Sequence, residues 1–281
     1  MKLKNKISQT LPYQVDTPVS PFKAAEFDFA LGFLAQLGFT GIELAIPYPG
    51  KVDADDLLKK LDAHGLAATT ISTGQIYGLE GIFMASFDDE IRKRASEVMK
   101  SHIELSAKIG FPPVTVGLIR GKLEQGEKSL LTSNFREAIL PCFEYAAKLG
   151  VILQIEPVNS EETVLINTVA EALEFIASLG SPQNAGVLFD VFHSYKQGEN
   201  MPDAIRAAAG RLTNVHFADS DRGLPGFGDV DFMPVSRALC EIGYQGPYTL
   251  ETLVIPDREF VNAHCYQSIM DAINDKAGSV C

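Results

Sequence analysis

Four side chains able to hold a divalent cation stand where apolar runs of this 281-residue sequence end. Glu156 closes the apolar part of VILQIEPVN, Asp190 follows AGVLF, His216 ends the run opening VHFADSDRGLPGFGDVDF (215–232), and Glu251 sits in YTLETLV. A carboxylate at the end of a segment fit for burial is costly unless it is paired or bound to a cation. For any one of the four a structural salt bridge is the plain alternative, so the inference rests on their coming together. Three carboxylates and one imidazole, with no thiolate, suit one Mn²⁺ or Mg²⁺ ion, with Co²⁺ or Zn²⁺ as alternatives.

Other polar residues follow these closely. His193, three residues past Asp190 on the same loop, is placed to hydrogen-bond a substrate oxygen or to steady a carboxylate. Arg222, six residues past His216 among Gly223, Pro225, Gly226 and Gly228, keeps its charge and could stabilise an oxyanion. Its alternative is a surface ion pair with Asp219 or Asp221. Glu162 is expected to steer a base or touch a hydroxyl, or else to be a solvated loop acid. Glu43, at the end of GIELAI, is expected to bind substrate across a barrel or to pair with a neighbouring strand. Asp229 and Asp231 read as a loop residue and a helix cap, and His64, His102 and His264 as structural or solvated helix residues.

Placing such residues at one rim requires regular elements. Short runs rich in Val, Ile and Thr predict strands near 6–12, 41–46, 67–73, 113–119, 151–157, 185–191, 212–218 and 248–254. Helical periodicity predicts helices near 21–37, 53–64, 88–109, 133–149, 168–179, 201–209, 231–242 and 256–275. Gly38 and Gly150 stand where a left-handed residue would end a helix, and Asp53, Ser133, Thr168 and Asp231 where helices would be capped, with Pro202 in a first turn. Eight alternating units with buried strands such as VILQI and AGVLF predict an α/β fold, one closed (β/α)8 TIM barrel forming a single domain over 1–281. No Gly-x-Gly-x-x-Gly follows a strand to favour a dinucleotide fold. In a barrel of this kind the C-terminal strand ends share one face, which is where Glu156, Asp190, His216 and Glu251 fall.

Composition removes several classes. The net charge of −12 argues against a nucleic-acid partner. No window reaches the roughly 18 apolar residues of a membrane span, and MKLKNKISQTLPY has no apolar core of a signal peptide, so a cytoplasmic protein is expected. Cys142, Cys240, Cys265 and Cys281 form no Cys-x-x-Cys pair and are expected to be reduced thiols.

The motifs IEPVN, FDVFH, VHFADSDRGLPGFGDVDF and the final TLE make the chain resemble the xylose-isomerase-like barrels. Within them it is similar to the sugar isomerase/epimerase group of ketose 3-epimerases, hydroxypyruvate isomerases and inosose-processing enzymes. The motifs cover the second half of the chain, and the βα rhythm extends the likeness over its length. The resemblance implies one divalent metal, commonly Mn²⁺ or Mg²⁺, held by Glu156, Asp190, His216 and Glu251. It further implies acid/base work by Glu156 and Glu251, and substrate oxygens held by His193 and Arg222. The substrate pocket departs from the pattern, because the chain has no Trp; Tyr77, Phe83 and Ile119 are expected to line it instead.

The expected activity is therefore that of a metal-dependent isomerase or epimerase acting on a ketose or related hydroxy-carbonyl compound through a cis-enediolate. A metal-dependent lyase, dehydrating an inosose or cyclic keto-acid, is the alternative on the same site. An apurinic-endonuclease-like nuclease fits less well, since the third and fourth strands, AATTIST and PVTVGLI, end without a histidine. The expected partner is a small-molecule sugar, with no nucleic acid and no membrane, in a chain that could form a homo-oligomer, a dimer or a tetramer.

Overall fold

A computed structural model of the chain describes residues 4–274. Eight parallel strands close in sequence order: β1 (Ile7–Pro12), β2 (Gly41–Ala45), β3 (Ala67–Ser72), β4 (Val114–Val116), β5 (Leu153–Ile155), β6 (Ala185–Asp190), β7 (Leu212–Phe217) and β8 (Tyr248–Leu250). The helices are α1 (Phe27–Leu37), α2 (Ala54–Ala63), α3 (Gln75–Glu80), α4 (Asp89–Lys108), α5 (Lys128–Leu149), α6 (Val169–Ser178), α7 (Val191–Gln197), α8 (Met201–Ala207), α9 (Phe232–Glu241) and α10 (Arg258–Ile273). The chain is a (β/α)8 TIM barrel.

Expected helix ends hold where a side chain can reach a free amide. Asp53 accepts from Asp55 and Asp56 N–H, Thr168 from Glu171 N–H, and Asp231 from Met233 N–H. Pro202 lies in the first turn of α8, and Gly38 and Gly150 end α1 and α5 in the left-handed region. Ser133 caps nothing, because α5 begins at Lys128 and the helix-forming run Lys-Ser-Leu-Leu carries the start toward the N-terminus. Two short helices fall where loops were expected. In α7, Asp190 accepts the backbone N–H of His193, so His193 sits in the first helical turn rather than on a loop.

Period-two alternation puts Ile42 and Leu44, or Val215 and Phe217, toward the helices, and the residues between them toward the barrel axis. That interior is largely polar. Ser8 Oγ meets Thr69 Oγ1 at 2.7 Å, Thr213 Oγ1 donates to Gln154 Oε1 at 2.7 Å, and Thr249 Oγ1 donates to Asn214 Oδ1 at 3.0 Å. Gly41 leaves room for this layer, since a Cβ there would stand 2.4 Å from Thr69 Cγ2.

Cys142 and Cys265 are buried free thiols, as expected, whereas Cys240 is disulfide-bonded and corrects the expectation of a reduced chain. Spacing along a sequence does not report which cysteines the fold brings together. Cys281 lies outside the described residues. Among the described residues no helix is long and apolar enough to cross a membrane.

Candidate metal centre and active site

Strand ends set the geometry. Asp190 is the last residue of β6 and pairs in register with His216 on β7, while Glu156 and Glu251 stand immediately after β5 and β8. Ligand atoms of Glu156, Asp190, His216 and Glu251 all lie within 4.8 Å of one another. Opposite ligands of an octahedral ion at 2.1 Å are about 4.2 Å apart, so small side-chain rotations would close the set on a cation. His216 Nδ1 stands 3.4 Å from Asp190 Oδ2, 3.6 Å from Glu251 Oε2 and 3.8 Å from Glu156 Oε1. Asp190 Oδ2 and His216 Nδ1 are buried without a hydrogen-bond partner. Buried polar atoms are nearly always satisfied, so two orphans facing one another fit a cation between them. The cluster could hold one metal ion.

Glu156 and Glu251 also line a cavity of about 300 Å³, together with Glu162, His193 and Arg222. Arg222 adopts a left-handed backbone and donates from Nη2 to Glu251 Oε2 at 2.8 Å and from Nη1 to Glu162 Oε1 at 3.4 Å. Its guanidinium also lies over the Phe192 ring, 5.1 Å from the centroid. Its guanidinium pairs with these two glutamates rather than with Asp219 or Asp221, although its backbone N–H donates to the Asp219 carbonyl at 2.8 Å. Asp219 is fully buried and accepts the N–H groups of Ser220, Gly226 and Val230, which folds the glycine-rich loop back on itself. Asp221 accepts from Gly223 N–H. Asp229 is an exposed loop residue.

Glu43 is set apart from the cavity wall. It is fully buried, with Oε2 2.8 Å from His216 Nε2 and 3.1 Å from Asn214 Nδ2, and Oε1 accepting from Thr10 Oγ1 at 3.2 Å. It lies against His216 and Asn214, because the inward face of β2 at this level meets β7 across the barrel. Thr17, Ser72, Gln75, Gly78, Leu118 and Lys122 are among the other residues lining the cavity. Tyr77, Phe83 and Ile119 are not among the lining residues: Tyr77 packs edge-on against Phe83 and donates to Glu124, and Ile119 is buried.

The charges polarise one another. Burial pushes the Glu156 carboxyl up to about 8, the charge of Glu251 adds to the rise, and His216 and Arg120 oppose it. Burial would raise Glu251 too, but His216 and Arg222 outweigh it and bring the group down to about 2. Asp190 lies well below the usual carboxylate range, since His193 and His216 overcome its burial. Burial opposes a proton on His216, yet Glu43 and Glu251 hold it well above the ordinary histidine value. The two neighbouring carboxyls, Glu156 and Glu251, are thus driven in opposite directions.

Residues that the sequence did not single out complete the site. Asn159, of the IEPVN motif, places Nδ2 2.7 Å from His193 Nδ1. Gly117, after β4, lies against Glu156, where a Cβ would stand 2.3 Å from Oε2. Arg120 is fully buried and donates to the carbonyls of Val116, Gly117, Leu165 and Ile166, tying the end of β4 to the segment after β5. An arginine inside GLIRGK was the visible signal for the last of these.

The chain is similar to proteins named as sugar epimerases. An L-ribulose 3-epimerase of Mesorhizobium japonicum is 31% identical over 235 residues, covering 81% of this chain and 76% of that protein. A ketose 3-epimerase of Arthrobacter globiformis is 29% identical over 243 residues, covering 84% and 82% respectively. The solved structure of an L-ribulose 3-epimerase superposes with a TM-score of 0.80 at 26% identity, covering 96% of this chain and 94% of that one. Residues 31–264 match the family model of the xylose isomerase-like TIM barrel. With its strand-end carboxylates and with this match over most of its length, the chain belongs to the xylose isomerase-like TIM barrel family.

Proposed function

We propose that the protein is a divalent-metal-dependent sugar epimerase that inverts a ketose at the carbon next to its carbonyl, through a cis-enediolate, with Glu156 and Glu251 as acid and base. The observation that carries this reading is that two glutamates from non-adjacent strands line one cavity with their proton affinities driven apart. The relatives named as ketose and L-ribulose 3-epimerases support it.

Glu156, Asp190, His216 and Glu251 would hold the cation, with Mn²⁺ or Mg²⁺ suited to three oxygens and one nitrogen. When bound, it polarises the carbonyl and adjacent hydroxyl of the sugar and makes the carbon-bound proton acidic. One glutamate removes that proton and the other returns one from the opposite face of the planar enediolate, which inverts the centre. If a single base returned the proton to the neighbouring carbon, the outcome would be aldose–ketose isomerisation. Arg222, His193 and Glu162 are assigned to the substrate's oxygens; the fixed charge of Arg222 suits developing negative charge. Glu43 is assigned to His216 rather than to the sugar.

The test is incubation with Mn²⁺ and a panel of ketoses in D₂O. Epimer formation with solvent deuterium at the inverted carbon is expected, and E156Q and E251Q should each abolish it. Loss of water from the substrate would mark a lyase, and full activity in either variant or in chelator-stripped protein would overturn the assignment.

A further inference from the structure

Each imidazole of the site is gripped at one nitrogen by a buried partner, and the two partners have opposite hydrogen-bonding sense. Glu43 Oε2 lies 2.8 Å from His216 Nε2, and the carboxylate is otherwise surrounded by donors, Asn214 Nδ2 at 3.1 Å and Thr10 Oγ1 at 3.2 Å. It can only accept from the ring, so Nε2 carries the hydrogen. Once a cation takes the place of the second ring proton, the neutral imidazole has one donor and one acceptor, which leaves Nδ1 bare toward Asp190, Glu251 and Glu156.

At His193 the logic is reversed. Asn159 Oδ1 accepts the N–H of Glu161 at 3.0 Å, which fixes the orientation of the amide. Its NH₂ group therefore faces the ring, with Nδ2 2.7 Å from His193 Nδ1. A donor at that distance needs a bare Nδ1, so the hydrogen of His193 is on Nε2, on a ring that lines the cavity. Asn159 and His193 are both buried, so water does not compete for these bonds.

We propose that Glu43 and Asn159 are positioning residues that decide what each histidine offers the site. Glu43 takes the hydrogen of His216 and leaves a bare nitrogen for a divalent cation. Asn159 covers the bare nitrogen of His193 and leaves an N–H for a substrate oxygen. An acid serves one ring and an amide the other because the site needs an acceptor from the first and a donor from the second. The inference rests on the proposed metal-dependent sugar chemistry, but ring hydrogens and metal affinity are measurable without turnover, so the two readings can fail separately.

Mg²⁺-loaded protein with ¹⁵N-labelled histidine is examined by long-range ring correlation spectra. Both rings should carry hydrogen on Nε2 and not on Nδ1, and N159D, which replaces the donor by an acceptor, should move hydrogen to Nδ1 of His193 alone. Calorimetric titration with Mn²⁺ should show E43L weakened by about 10- to 100-fold, most of it recovered in E43Q, whose amide oxygen can still accept. N159L should bind Mn²⁺ as the wild type does, while its KM for a turned-over ketose rises about tenfold. Hydrogen on Nδ1 of either ring in the loaded wild type overturns the proposal, and this spectrum needs no variant to fold. Unchanged Mn²⁺ affinity in E43L, or equal weakening in E43L and N159L, overturns it as well.

Discussion

Replacing Gly117 by Ala adds one methyl group against the group proposed to move the proton. The new Cβ would stand 2.3 Å from Glu156 Oε2, against about 3.4 Å for ordinary contact, so the carboxylate must move by about 1 Å. What it strikes is the far end of a flexible side chain rather than backbone, so the stability cost should stay near the low end of about 1–3 kcal/mol for overpacking. The reacting geometry has no such slack. A misplacement of about 1 Å can cost on the order of 100-fold in rate. G117A is therefore expected to fold, to lose no more than about 2–4 °C in Tm for each kcal/mol, and to lose about 100-fold in kcat with Mn²⁺ and a competent ketose. Thermal unfolding and steady-state kinetics on the same preparation separate the two effects. A variant with wild-type kcat would refute the reading of Glu156 as a proton-transfer group held in place by the end of β4.

Three further outcomes are expected. R120M should remove the side-chain donor from four carbonyl oxygens, leaving that of Leu165 without a donor while those of Val116, Gly117 and Ile166 keep a backbone N–H, and cost about 1–3 kcal/mol, seen as a fall of up to about 1 M in urea midpoint; an unchanged midpoint would deny Arg120 its role as a tie. His102 is fully buried between the carbonyls of Ile46 and Val98, and burial holds its folded value below the ordinary 6.5. The unfolded chain then takes up the proton first, so this contribution is present above about pH 6.5 and lost as pH falls, by up to about 1.4 kcal/mol per unit. H102Q should lack that slope in urea titrations from pH 7.5 to 5.5, and identical slopes would refute the argument. Because Glu156 is pushed up to about 8 and His216 is held protonated without a cation, Mn²⁺ binding at pH 7 should release at least about one proton, and the share from Glu156 should fade as the pH is raised past 8. Calorimetry in buffers of different ionisation heat measures the release, and a value of zero contradicts the shared site.

The barrel was legible because its signals repeat: alternating apolar runs, glycines after helices and caps before them fall at the same points of each βα unit. The strand-end acids stood out for the same reason, since Glu156 and Asp190 are charges following mostly apolar runs. What stayed hidden depends on contacts across the barrel. Nothing near Glu43 in sequence says that its partner is His216, 173 residues away. Asn159 was visible inside IEPVN, but its role is set by which nitrogen of His193 it meets. The absence of Trp was read from composition, yet a lining of small and polar side chains could not be, because α3 and the turn after β4 place them.

Depth in the barrel then divides the labour within the cluster. Asp190 and His216 belong to strands of six residues and are only 3% and 1% exposed, and neither lines the cavity. β5 and β8 run for only three residues each, and Glu156 and Glu251 follow directly, where the backbone has left the sheet and the side chains reach the cavity. On the proposed reading the two deep groups serve the cation alone, and the two shallow ones serve both cation and sugar. Arg222 bonds to only one of the shallow pair, Glu251, and buried Arg120 acts on the other only through its charge. The pair is thus unequal before any substrate arrives, and that inequality is what a base on one face and an acid on the other require.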